Sequence, residues 1–342
     1  MALVFVGDRC GDHSPSSGYD QLCTLFPAAG WLSGRQLVAG HLSWIRRPAG
    51  SDDDLSWALF HVFYGDCSGS ALPAILSDRW PHATIVSTIH QPVSRLCQDE
   101  AALRSLSVVD AIITVCQEQA RALAGFGLAA SVHVVPHGVW TETFRPAPEC
   151  GRDGRVLLVG TYLRDWRLTN QVLDRLVQAG VRSLVLGSNA PERIAVEHPL
   201  VEVSPRVPEA ELARLYHRSA ALLLPVLDAT ASNALLEAMA AGCPVICSRF
   251  PSLVEEYLGD DSDAFEPGNC AAAVATLLRY VTDPAHRAAG SSTLIRRAQA
   301  FDWSHLRARY AQTYKQIRTR TRQRASAPLR QPRPASPVVR SG

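Results

Sequence analysis

The sequence predicts an α/β protein of two domains, each a parallel sheet covered by helices on both faces. Three observations carry that expectation. Short apolar runs alternate with amphipathic helical stretches along the chain, the pattern of strands joined by helical crossovers. The rhythm breaks once, in the polar stretch Thr141 to Arg155 with its two prolines and two glycines, and then restarts. The chain has 342 residues, 47% hydrophobic and 19% charged, which is enough to bury two cores of ordinary size.

In the first half, strands are expected at Val4–Val6, Trp57–Phe63, Ala83–Thr88, Ala111–Val115 and Val132–Val135, with a helix at Gln117–Ala124. In the second, strands are expected at Val156–Val159, Ser183–Leu186, Val201–Val203, Ala221–Leu224, Pro244–Cys247 and Ala264–Glu266. Helices fall between them: one running to Ala179, then Glu209–Ser219, Ser232–Ala241 and Cys270–Thr282. A last amphipathic helix covers Trp303 to Ile317. Sheets of this kind bind ligands at the carboxyl ends of their strands, so the cleft between the halves is the expected site.

Composition narrows the class. The longest apolar runs, such as Ala220–Leu227, fall far short of the ~20 residues of a membrane span. The start, Met-Ala-Leu-Val-Phe-Val-Gly-Asp, reads as a first strand and not a signal peptide. Nine cysteines are scattered from Cys10 to Cys270 without C-x-x-C spacing, so reduced thiols in a cytoplasmic protein are expected. The net charge of +2 conceals an asymmetry: residues 318–342 hold seven arginines and no acid, leaving −5 for the rest. That tail reads as a disordered basic end, with weak membrane association as a second reading and no nucleic-acid partner.

The chemistry concentrates in Leu222–Ile246. Here a buried strand runs into the small residues Ala229 to Ala234, then a helix, a Gly242 stop and a second buried strand. Backbone N–H groups at Ser232, Asn233, Ala234 and Leu235, with the positive end of the helix dipole, make a phosphate site. Glu237 is the lone charge between Ala234 and Ala241; it either faces water or accepts strong hydrogen bonds, such as those of two vicinal ribose hydroxyls.

This stretch resembles the signature of the retaining GT-B glycosyltransferases of family four, the glycosyl transferases group 1, in which two glutamates eight apart precede a Gly-x-Pro-Val strand. The resemblance implies a GT-B fold, two Rossmann-like domains facing across a cleft, with Glu237 on the donor ribose. The position of the first Glu is Ala229 here, and Asp228 beside it is read as a displaced equivalent touching the donor sugar. Val159 to Arg167 resembles the family loop whose Arg and Lys, six apart, grip the diphosphate. Arg167 takes the Lys position and Thr161 the Arg position, so Arg164 is expected to supply the missing charge. His90, at the end of the 83–88 strand segment, matches the catalytic-site His of the family, and Gly18 lies in a loop resembling the one below the phosphates. Pro136-His137-Gly138-Val139 resembles the interdomain Asn-Gly-Val element.

The resemblance divides the chain into an acceptor-side domain (1–145), a donor domain (146–302), a helix (303–317) packing back toward the first domain, and the tail (318–342). It implies transfer of a hexose-type sugar from a nucleotide-sugar donor, UDP favoured, to a small-molecule or glycan hydroxyl in natural-product or cell-envelope chemistry. It implies retention of anomeric configuration by same-face displacement, with His90, Arg167 and Asp228 as the catalytic set. No metal or other cofactor is expected, because arginines and a helix end do its work; Asp52–Asp54 and Asp260–Asp263 are read as solvated loops. A nucleotide-sugar 2-epimerase and a non-catalytic nucleotide-sugar-binding protein stay open. So does a hydrolase reading, in which Gly65-Asp66-Cys67-Ser68-Gly69 mimics a nucleophile elbow.

Overall fold

The computed structural model describes residues 2–9, 11, 14–49, 54–67, 69–146, 151, 153–260 and 262–325. Asp52, Asp53, Asp261 and the tail from residue 326 lie outside the described residues.

Two sheets are present. The first has seven strands: β1 (Leu3–Val6), β2 (Gly30–Leu32), β3 (Trp44–Arg46), β4 (Leu59–Val62), β5 (Thr84–Ile89), β6 (Ala111–Thr114) and β7 (Ser131–Val134). They lie in the order β3-β2-β1-β4-β5-β6-β7, parallel except for β3. The second has six parallel strands: β8 (Val156–Val159), β9 (Ser183–Leu186), β10 (Val201–Ser204), β11 (Ala221–Leu224), β12 (Val245–Ser248) and β13 (Ala264–Phe265). Their order is β10-β9-β8-β11-β12-β13. Central strands such as Leu59–Val62 and Ala221–Leu224 are buried throughout, which is why they read as unbroken apolar runs.

Several elements escape the sequence pattern, three of them instructive. Gly30 reads as a breaker, yet it sits inside β2 because a Cβ there would lie 2.6 Å from the Trp44 ring. β3 is three half-exposed residues on the sheet edge, too short for a periodic signal. The helix Pro284–Ala298 starts at Asp283, whose carboxylate accepts from Ala285 and His286 N–H, with Pro284 in the first turn.

The chain crosses between domains twice, side by side. Val139 N–H donates to the Phe301 carbonyl at 3.0 Å and Trp303 N–H to the Val139 carbonyl at 3.2 Å. Thr141 donates through both N–H and Oγ1 to Asp302. Gly138 lies against the Trp303 ring, where a Cβ would come within 2.5 Å.

Beyond Trp303 the chain forms one helix to Ala325 and not to Ile317. This corrects the expected boundary of the basic tail: residues 318–325 are helical, Arg and Gln being good helix formers that continue an anchored helix. Trp303, Leu306, Tyr310, Tyr314 and Ile317 pack with Phe5, Tyr19 and Leu22 on one face of the first sheet. A buried polar chain runs beneath. Tyr310 and Tyr19 hydroxyls lie 2.7 Å apart, Tyr19 and Thr88 hydroxyls 2.8 Å, and Thr88 meets His61 Nε2 at 2.6 Å. His61 Nδ1 then meets Tyr314 at 2.7 Å. Burial lowers the His61 pKa to about 3, so the ring is neutral.

Candidate active site in the interdomain cleft

The site forms where the carboxyl ends of both sheets face each other. On the donor side, the loop after β8 is stitched to the loop after β11. Asp165 N–H donates to the Pro225 carbonyl at 2.9 Å, and Leu227 N–H to the Leu163 carbonyl at 2.8 Å. This holds Thr161 and Arg167 beside the segment 228–233.

That segment leads into the helix Asn233–Ala241. Ser232 caps it, its Oγ accepting from Leu235 N–H, and its carbonyl accepts from Leu236 N–H. Gly242 ends it in the left-handed conformation at φ 67°. The first N–H groups, Asn233 and Ala234, have no acceptor among the described residues, as a phosphate site requires.

Glu237 sits one turn into this helix and is only 2% exposed, which removes the solvated-stripe reading. Tyr216 hydroxyl donates to its Oε2 at 2.8 Å, and Ser17 hydroxyl, from the other domain, donates to its Oε1. These two donors satisfy a carboxylate taken out of water. Glu209 takes the rest of the Ser17 loop: Ser16 donates to it through N–H at 2.8 Å and Oγ at 3.0 Å, and Ser14 through Oγ. Gly18 closes this loop, its N–H donating to the Ser14 carbonyl at 3.2 Å.

On the opposite lip, His90 follows β5. Its N–H donates to buried Asp66 at 2.7 Å, Gln91 N–H donates to the same oxygen at 2.5 Å, and its carbonyl accepts from Thr230 of the donor domain. The ring stands edge-on to Tyr19 at 4.5 Å and lies tilted against Tyr64 at 4.4 Å. Burial raises the Asp66 pKa to about 6, against the two backbone donors that lower it. Asp228 accepts from Ser94 Oγ at 2.5 Å and from its neighbour Ala229 N–H at 2.7 Å, so it lies at the seam of the two lips.

The structure therefore brings Gly18, His90, Thr161, Arg167, Asp228, Ser232, Asn233, Ala234 and Glu237 to one cleft. Leu235 contributes its capped N–H, its side chain being fully buried.

Arg164 is a correction. It is 7% exposed, and its guanidinium donates to the carbonyls of Val159 and Gly160. Burial lowers its pKa to about 10. The side chain turns inward because the β8 carbonyls at the loop neck need donors, so it braces the loop. Arg167 alone among the expected arginines is exposed there.

Two participants were missed, Asp66 and Tyr216, which meet their partners through the fold; Ser17 lies in the loop that carries Gly18, and Tyr162 in the Val159–Arg167 loop. Exposed Tyr162 reaches the electrostatic neighbourhood of Arg95, Cys67, Asp66 and Asp228; partial burial raises its pKa and Arg95 lowers it. The Gly65–Gly69 segment is not a nucleophile elbow. The left-handed residue after the strand is Tyr64 at φ 49°, whereas Cys67 Sγ points to the Tyr64 carbonyl at 3.6 Å.

Residues 154–283 match the family model described as glycosyl transferases group 1. A D-inositol 3-phosphate glycosyltransferase of Kineococcus radiotolerans is 28% identical over 220 residues, 51% of this chain and 49% of that protein. The chain thus spans about half the length of that relative. Sucrose-phosphate synthase of Thermosynechococcus elongatus superposes with a TM-score of 0.71 at 18% identity, covering 94% of this chain and all of the other. An Anabaena protein, HepE, in complex with UDP-glucose superposes with a TM-score of 0.70 at 14% identity, over 92% of this chain and 100% of that one. Residues 154–283 thus resemble the glycosyl transferases group 1, and the GT-B fold spans both domains.

Proposed function

We propose that the chain is a glycosyltransferase moving a hexose-type sugar from a nucleotide-sugar donor, UDP-sugar above others, to an acceptor hydroxyl. The observation that carries this reading is the meeting of a helix N-terminus with free N–H groups, one buried carboxylate and one exposed arginine at a single sheet edge. The likeness to a protein bound to UDP-glucose supports the choice of base and sugar.

In this reading the diphosphate lies on the Asn233 and Ala234 N–H groups, and a ribose hydroxyl takes over the place of Ser17 on Glu237. Arg167 and the helix dipole stabilise the charge that grows on the leaving diphosphate, which takes the acceptor proton. Asp228 and the His90 lip orient the sugar, so the reaction proceeds by positioning, with retention and without a divalent metal. Acceptors are small molecules or glycans of natural-product or cell-envelope chemistry, met in the cytoplasm.

The test is transfer from a panel of UDP-, GDP- and dTDP-hexoses in excess EDTA, with the product anomer read by NMR. A UDP-hexose giving a retained product in EDTA is expected. Donor binding without transfer or hydrolysis would favour the non-catalytic alternative, free 2-epimerised sugar the epimerase, and a strict need for Mg²⁺ or Mn²⁺ would overturn the metal-free account.

A further inference from the structure

The two domains meet along two seams of different chemistry. At the first, Tyr257 is fully buried, and its hydroxyl accepts from His137 N–H at 3.0 Å and donates to the Val115 carbonyl at 2.7 Å. Around it Ser252 N–H donates to Glu118 at 3.0 Å, and Arg121 pairs with Glu255 at 2.7 Å. Withdrawing a buried ring bonded twice to backbone would strand polar groups and wet apolar surface. This seam has the make-up of a hinge.

The other seam is polar throughout. The loop after β1 crosses to the donor domain at Gly11, whose carbonyl accepts from Arg206 at 2.5 Å, and at three serines. Ser14 Oγ, Ser16 N–H and Ser16 Oγ all donate to Glu209, and Ser17 Oγ donates to Glu237. Glu209 opens the helix Glu209–Arg218, and Tyr216 of that helix holds the other oxygen of Glu237. Positions seven apart share a helix face, so Glu209 and the Tyr216–Glu237 pair lie along one line facing the serine loop. Among the described residues, the hydrogen-bond donors to Glu209 all come from the opposite domain. Water can replace such donors on a half-buried carboxylate, so this seam can open and close.

The serine loop moves with its own domain. Gln21 Nε2 donates to the Pro15 carbonyl at 2.5 Å, and Trp140 N–H to the Ser16 carbonyl at 3.2 Å. Whatever fixes the serines therefore fixes how far the whole N-terminal lip, Gly18 and His90 included, stands from the donor site.

We propose that Glu209 is the positioning residue that closes the cleft for transfer, with Ser17 holding the place of the donor ribose on Glu237 until the donor arrives. Both parts rest on the donor reading, in which a ribose hydroxyl reaches Glu237. When it does, Ser17 gives up its bond, and the bonds to Glu209 keep the lip over the diphosphate. Ser17 thus competes with the donor, whereas Glu209 cooperates with it.

The test is calorimetric titration of UDP into the full chain and its Ser17→Ala, Glu209→Ala and Glu209→Gln variants, with small-angle X-ray scattering before and after saturation. Ser17→Ala should bind UDP about ten-fold tighter, since binding no longer displaces a charge-assisted bond. Glu209→Ala should bind about ten-fold weaker, because the closed form becomes a minor population of the free protein. Its radius of gyration should exceed the parent's without UDP and return to it at saturation. Glu209→Gln keeps one acceptor oxygen and should fall between the two, which supplies the same reading if the Ala variant folds poorly. A role in folding alone would move the Ser17 and Glu209 variants in the same direction. Unchanged or weaker UDP binding by Ser17→Ala, or parent-like binding or an unchanged radius of gyration in the Glu209 variants, would overturn the proposal and leave the donor site standing on the parent's own UDP binding. A parent that binds none of UDP, GDP and dTDP would overturn both.

Discussion

The two lips of the cleft are built on opposite principles. The donor lip draws most of its chemistry from one contiguous stretch, Ala221 to Glu237, in which strand, turn and helix N-terminus follow each other, and adds Arg167 from the neighbouring Val159–Arg167 segment. The opposing lip is assembled from residues far apart in sequence. His90 rests on Tyr19, and Tyr19 is bonded to Thr88 and to Tyr310, 291 residues away. A local site of backbone N–H groups tolerates drift elsewhere, whereas a site held by a buried polar chain depends on every member being satisfied. The donor lip should therefore respond to substitution in binding and rate, and the other lip in stability and pH dependence.

The largest effect tests the donor lip. Arg167→Ala should lower kcat by about 10²–10³, since its contact strengthens as the diphosphate leaves. Steady-state kinetics on a UDP-hexose decides it; a change in KM alone would make Arg167 a ground-state binder.

The next effects test the opposing lip and its tether. Gly138→Ala forces a methyl group into the Trp303 ring and should cost about 1–3 kcal/mol in urea unfolding, with donor affinity kept in the folded fraction. An unchanged midpoint would show that the crossing is loosely packed.

His61 gives a pH signature. Its folded pKa of about 3 lies below the unfolded 6.5, so the unfolded state binds more protons between those values. Stability therefore falls as pH drops from 6.5, by about 2 kcal/mol from this residue between pH 7 and 5. Asp66, raised to about 6, acts in the opposite sense, because its folded form binds the extra proton as pH falls from 6 toward 3.8. Comparing His61→Gln with the parent isolates the His61 contribution: the variant should lose less stability between pH 7 and 5, and parallel losses would refute a neutral buried imidazole.

The smallest effect is a predicted absence of one. Cys67→Ser should leave transfer within two-fold, since its sulfur faces a backbone carbonyl. A dead variant would reopen nucleophilic catalysis.

What was legible in the sequence follows the same division. Apolar periodicity revealed the longer strands, and it missed β2 and β3, which at three residues each are too short to carry a period. The helix N-terminus and Glu237 were legible because capping and lone-charge signals are local. Arg164 misled because a positive residue in a Gly-containing loop looks the same whether it faces solvent or the carbonyls of its own strand. Glu237 meeting Tyr216 and Ser17, and Asp66 beneath His90, depend on crossovers that no spacing encodes.

The central claim is that Glu237, buried one turn inside the Asn233–Ala241 helix, holds the donor nucleoside. Calorimetric titration of UDP into the parent and Glu237→Gln tests it most directly, because Gln still pairs with Tyr216 and Ser17 and preserves the fold. Replacing a charge-assisted acceptor by a neutral amide should remove at least about 1.4 kcal/mol, a ten-fold weaker Kd. An identical Kd in a variant with the parent unfolding midpoint would contradict the account and leave Glu237 as an interdomain strut.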